Sequence, residues 1–300
     1  MKPILIYSGA TGLNTVDDPV RIGFQENGRT DLQVAINISI DQSNRINRRI
    51  GTKRLLTGSY HSLFCDGGDC FVISGGSLYR VNSDDTLTGL RSGLTEDQRM
   101  DFEQVGDRTY YCNGYERGFI YNSVSYSWVA GTYTGPETNR DFSAPSTGVH
   151  LAMFQSRMFI SEGPVLWWSE PFNFGLYNKA ESFGQFHDGI IMIQPVYGGL
   201  FVSTDKKTYF ASGLNPKDFT LKEVAQFPAI EWSNTAEKID ASDMGMDGGL
   251  CALWASREGA ILGFPTGQIF NLNKNKVVYP DDATTGFGCL RGYNFIHGVN

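Results

Sequence analysis

AMFQSRMFISEGPVLWWSE, residues 152–170, sets a polar turn at Gln155-Ser156, a strand with Phe159 at its middle, a Glu-Gly-Pro turn and a second strand ending in two tryptophans. The same outline recurs in Phe64–Val81 (FCDGGDCFVISGGSLYRV), Gln104–Tyr121 (QVGDRTYYCNGYERGFIY) and Gln194–Gly213 (QPVYGGLFVSTDKKTYFASG). A weaker copy is Leu250–Leu272. The anchor aromatics Phe71, Tyr110, Phe159 and Phe201 stand 39, 49 and 42 positions apart. Periods of this size mark stacked small sheets, and four strands per unit is the β-propeller pattern. Five copies plus the chain ends predict an all-β β-propeller over residues 55–300, of six blades with five or seven as alternatives, preceded by an extended N-terminal arm, residues 1–54.

Composition supports a mostly β chain. Of 300 residues, 41% are hydrophobic and 13% aromatic, enough for a packed core. Glycine, at 35 residues, suits many tight turns. A net charge of −7 opposes a general nucleic-acid binder, which must neutralise phosphates. The charge is uneven, however. Residues 1–57 carry eight Lys/Arg against five Asp/Glu, or +3, which leaves −10 on the remainder. Arg45, Arg48, Arg49, Lys53 and Arg54 form a basic cluster with no acid between Asp41 and Asp66. It reads either as a solvated turn or as a docking surface for an acidic partner.

In Leu32–Ile40 (LQVAINISI) every second residue is Leu, Val or Ile, which predicts one half-buried strand, part of an arm that helps to close the ring. Asp17-Asp18-Pro19 and Asn27-Gly28 read as turns beside it. Thr95–Asp101 has the form of a capped helical turn, and Thr235–Gly249 that of a polar connection. The apolar run Ile4–Ile6 is too short for a signal peptide or a spanning helix, so a soluble chain made in the cytoplasm is expected. Five scattered cysteines make no disulfide framework, and Cys65 and Cys70, able to face each other across a hairpin, are expected to be reduced.

Signals for chemistry are sparse. His61, His150, His187 and His297 form no metal-type pair, and no nucleophile elbow, phosphate loop or dinucleotide fingerprint occurs. The carboxylates at Asp66–Asp69, Asp84-Asp85 and Asp281-Asp282 lack calcium-loop spacing and read as turn residues. Ser203–Phe210 is only a partial Asp-box, a hairpin device. No catalytic, cofactor or metal residue is assigned. Trp167 and Trp168 should face opposite sides of one blade. With Trp232 they are the candidate interface or ligand aromatics, since exposed tryptophan calls for a partner.

Several strings taken in order resemble the β-propeller tail hub or nozzle proteins of short-tailed bacteriophages, a group that includes packaged-DNA stabilisation proteins. They are Gly106–Tyr111 with Asn113-Gly114, Leu166–Phe172 (LWWSEPF), Tyr197–Asp205, Ser212–Leu221 with its Asn215-Pro216, and Gly267–Leu272, after the turn Arg49-x-Gly51-Thr52. The resemblance spans residues 45–275. It implies a non-enzymatic virion tail protein, assembled in the host bacterial cytoplasm, that forms a homo-hexameric ring. Neighbouring tail and connector proteins would be its partners and DNA a transient cargo in the channel, with no membrane insertion. The alternative is a tail-tip propeller that binds a carbohydrate receptor.

Overall fold

A computed structural model describes residues 9–300 except 19, 21, 23–28, 41–42, 50, 52, 137–140, 214, 241, 243–244, 246–247, 275, 278 and 292–293. The Ile4–Ile6 run and the Asn27-Gly28 turn lie outside the described residues. The arm supplies β1 (Gly9–Leu13), β2 (Arg29–Leu32), β3 (Ile38–Ile40) and β4 (Ile46–Arg48). Five four-stranded antiparallel sheets follow in chain order. The first is β5 (His61–Asp66), β6 (Asp69–Ser74), β7 (Ser77–Val81) and β8 (Leu87–Arg91). The second is β9 (Asp101–Val105), β10 (Arg108–Cys112), β11 (Arg117–Tyr121) and β12 (Val124–Ser127). The third is β13 (Leu151–Phe154), β14 (Arg157–Glu162), β15 (Val165–Trp168) and β16 (Phe183–Gln185). The fourth is β17 (Ile190–Val196), β18 (Gly199–Thr204), β19 (Thr208–Ser212) and β20 (Thr220–Ala225). The fifth is β21 (Thr235–Ile239), β22 (Gly249–Ser256), β23 (Gly259–Gly263) and β24 (Ile269–Asn271). A two-stranded sheet, β25 (Gly286–Arg291) with β26 (Asn294–Val299), packs next to β21 and β22. The protein is an all-β propeller; among the described residues it has five four-stranded blades and a two-stranded sheet where six blades were expected.

The repeat in the sequence is the repeat in space. Phe71, Tyr110, Phe159 and Phe201 all sit on the second strand of their sheets, each at most 5% exposed, and Trp254 takes that place in the fifth. The core lies in layers between consecutive sheets and not at one centre. Phe71 and Ile73 meet Phe102 and Tyr111, Tyr110 and Cys112 meet Met158 and Ile160, and Phe159 and Trp168 meet Ile193 and Val202. Phe201 then meets Trp254, their ring centroids 5.2 Å apart. Tight hairpins bring these faces into register. At Gly75-Gly76, with φ of 51° and 66°, the mirror-image turn demands positive φ, and a Cβ on Gly76 would stand 2.8 Å from the Leu94 carbonyl.

Four expectations fail. Leu32–Ile40 is not one strand: β2 ends at Leu32, Asn37 turns at φ 56° and β3 starts at Ile38. Val34 and Ile36 are 70% and 79% exposed, because no layer of this chain faces them. Thr95–Asp101 forms no helical turn, since the Thr95 N–H and hydroxyl both bind the Glu116 carboxylate. Thr235–Gly249 contains a strand, β21, paired along β22. Cys65 and Cys70 are joined in a disulfide, being directly paired residues of the β5–β6 hairpin. Among the described residues no helix is long and apolar enough to cross a membrane.

Candidate functional site

The first strands of consecutive sheets touch one another, β5 with β9, β9 with β13, β13 with β17 and β17 with β21, so they form the hub. An edge strand there has unpaired N–H groups to satisfy. On β9 the residues Asp101 and Glu103 alternate with apolar Phe102, which points back into the first interface. Their carboxylates instead face β13. Asp101 accepts the Leu151 N–H at 2.8 Å, and Glu103 accepts that of Met153. Two acidic side chains thus take the place of a backbone ladder between neighbouring blades.

A second contact crosses the ring. His150, 3% exposed, donates or accepts through Nε2 at 3.1 Å from the Glu231 carboxylate, and its Nδ1 is 3.9 Å from Asp101 Oδ2. Trp232 lies against the imidazole with centroids 4.6 Å apart, and the Arg99 guanidinium stands 5.9 Å from the indole. Arg99 also donates to the Gly286 carbonyl of β25, while the Glu231 carbonyl accepts the Gly286 N–H at 2.8 Å. The cluster therefore ties the second, third and fifth blades to the terminal sheet.

The electrostatics follow from this confinement. Burial pushes the Glu103 carboxyl up to about 8, and neighbouring Asp101 adds to the shift. Burial also raises Asp101, with His150 pulling it back down. A neutral Glu103 is thus the ordinary state near pH 7. Among the described residues no group of three or more His, Cys, Asp or Glu could hold a metal ion. The arrangement is suited to clamping blades together.

The residues singled out in the sequence lie elsewhere. Arg45, Arg48, Arg49, Lys53 and Arg54 are all exposed, from just before β4 to beyond it, and Arg54 donates to the nearby Leu56 carbonyl at 3.0 Å. Arg45 has partners of its own. The arm meets the ring through Asp31, which accepts from Lys276 at 3.1 Å, and through the Thr15 N–H, which reaches the Lys276 carbonyl at 2.7 Å. Among the described residues no arm strand joins a four-stranded sheet.

Trp167 and Trp168 face opposite sides of their blade, as alternation demands. Trp168 is only 4% exposed and packs on Phe159, so it is core and not a ligand platform. Trp167 is half-buried, donates to Glu162 at 2.8 Å and lies under Lys179 at 5.4 Å. Trp232 is half-buried too, folded inward by a backbone φ of 67°. Sequence reading passed over Asp101, Glu103, His150 and Glu231, since no motif connects carboxylates and an imidazole so far apart in the chain.

No protein-family model and no curated protein matches the chain. Among solved structures it is similar to BBS1N, crystallised in complex with ARL6DN, at 10% identity and a TM-score of 0.52, over 86% of this chain and 80% of that one. It is also similar to the Neurospora crassa Pan2 WD40 domain, at 11% identity and 0.45, over 70% and 64%. A third is an extracellular domain from B. thetaiotaomicron, at 14% identity and 0.48, over 81% and 31%. The chain thus spans less than two thirds of the last two structures. At such identities the likeness concerns the fold alone, and the BBS1N match carries it.

Proposed function

We propose that the protein is a non-enzymatic wall subunit of an oligomeric assembly, the tail hub or nozzle ring of a short-tailed bacteriophage, with its N-terminal arm as the joint to neighbouring copies or tail proteins. The supporting observation is the contrast between a ring whose blades bury their apolar faces against one another and an arm that keeps basic and apolar residues exposed. Arg48, Arg49 and Lys53 stand in solvent, and Val34 and Ile36 of the same arm are exposed. A basic segment with apolar residues suits an acidic neighbour, and the rest of the chain, at −10, is such a surface. The propeller axis itself is bolted by the His150 and Glu231 contact, so a DNA conduit would run along the axis of the assembly and not through one blade ring.

Charge reversal tests the reading. R48E with R49E should leave the melting temperature unchanged while abolishing rings seen by negative-stain microscopy and multi-angle light scattering of the full chain. Assembly that survives the double reversal overturns the role of the arm.

A further inference from the structure

The outer part of the second blade, where it faces the third, is not covered. In register, Arg108, Tyr110, Phe119, Tyr121, Val124 and Tyr126 share that face. Tyr110 meets Phe119 at 5.7 Å and Phe119 stacks on Tyr126 at 5.3 Å, an aromatic ladder running outward. Its inner rungs pack against the third blade, whereas Val124 and Tyr126 are 49% and 44% exposed. Between Tyr110 and Phe119, on the inner rungs, and the Phe172–Gly175 turn opens a cleft of about 460 Å³, within the range of small-molecule sites.

Three features mark the cleft. Phe172 is 80% exposed at its rim, with φ at 56°, a left-handed conformation that costs a bulky residue of order 1–3 kcal/mol. Val129, also 63% exposed, faces the same cleft. The Arg108 guanidinium lies flat over the ladder, 5.0 Å from the Phe119 centroid and 5.6 Å from that of Tyr121, held by the Tyr110 hydroxyl. Among the described residues no carboxylate pairs with it. Asp107 and Asn173 complete the polar rim. The neighbouring cleft between the third and fourth blades, about 520 Å³, differs in that its rim charges are already joined by the Lys217–Glu181 ion pair at 2.6 Å.

We propose that the cleft between the second and third blades binds an uncharged saccharide. Pyranose rings offer an apolar C–H face for Phe172 and Val129, and hydroxyls that both donate and accept. Asp107 accepts from such hydroxyls, Arg108 donates to them, and Asn173 does both. The concave form and the mixed rim favour a sugar over a flat protein interface, and the Asp107 carboxylate at the mouth disfavours an acidic one. This inference does not depend on the assembly proposed above.

Binding of a neutral β-glucan hexasaccharide, a polygalacturonate hexasaccharide and sialyllactose to the full chain, by isothermal titration and saturation-transfer NMR, tests it. The neutral sugar should bind, and Phe172→Ala and Arg108→Ala should each weaken it at least about tenfold, the loss of one stacked or charge-assisted contact. Phe172→Gly distinguishes a binding role from a structural one: it relieves the backbone and should raise the melting temperature while binding falls. The proposal is overturned if no neutral sugar binds, if the acidic sugars bind more tightly, or if the variants change self-association and leave sugar binding intact. Because R48E with R49E leaves the cleft untouched, that variant should bind the sugar normally whatever its state of assembly.

Discussion

The ring and the arm use the same residues to opposite ends. On β18, Phe201 and Val202 point to opposite faces and both are fully buried, because sheets stand on either side. Val34 and Ile36 alternate just as regularly, and both are in solvent. Alternation therefore licenses a strand only where a second layer exists to receive it. The apolar stability of this chain is stored between its blades.

The sharpest way to break that comparison is at an anchor. Phe159→Ala opens a cavity between the third and fourth blades and should cost about 3–5 kcal/mol, read as a loss of the denaturation midpoint. A smaller effect should come from the hub. The Glu103 pKa is raised in the folded protein, so below its ordinary value of 4.5 the residue costs nothing. As pH climbs from there through about 8 the folded state resists losing the proton, and stability falls. Glu103→Gln should therefore match the parent at pH 4.5 and exceed it at pH 9 by on the order of 1–2 kcal/mol, since the axis keeps some solvent screening. Melting curves across that range check the sign. The smallest effect belongs to the arm. Val34→Ser with Ile36→Ser should shift the stability of the monomer by less than about 0.5 kcal/mol, as exposed sites do, yet reduce assembly in the light-scattering measurement.

How much of this was legible in the sequence depends on where a residue sits within a blade. The second strands declared themselves through Phe71, Tyr110, Phe159 and Phe201, since burial on both faces demands apolar residues whatever the surroundings. Outer strands did not: on β20, Thr220, Leu221, Lys222 and Glu223 are all exposed, so composition there carries no signal. The alternation of Trp167 and Trp168 could be read locally, but which of them was covered depended on the neighbouring blade. Trp232 was equally opaque, as only the turn at its own backbone directs the indole towards His150. The hub is the extreme case. Asp101, His150 and Glu231 become neighbours solely because the ring closes, and the cleft beside Phe172 appears only once the second and third blades are packed together.

The hub bonds also set an order of events. Every four-stranded sheet is a contiguous stretch of chain, so each can zip from its own hairpins at small entropic cost. The His150 and Glu231 contact joins residues 81 apart, and the Arg99 to Gly286 contact joins residues 187 apart. Loop-closure entropy places such contacts late in folding. They should be the first to yield when the ring breathes, so hydrogen exchange at the Leu151 and Met153 amides would time the opening of the circle while the sheets on either side stay closed.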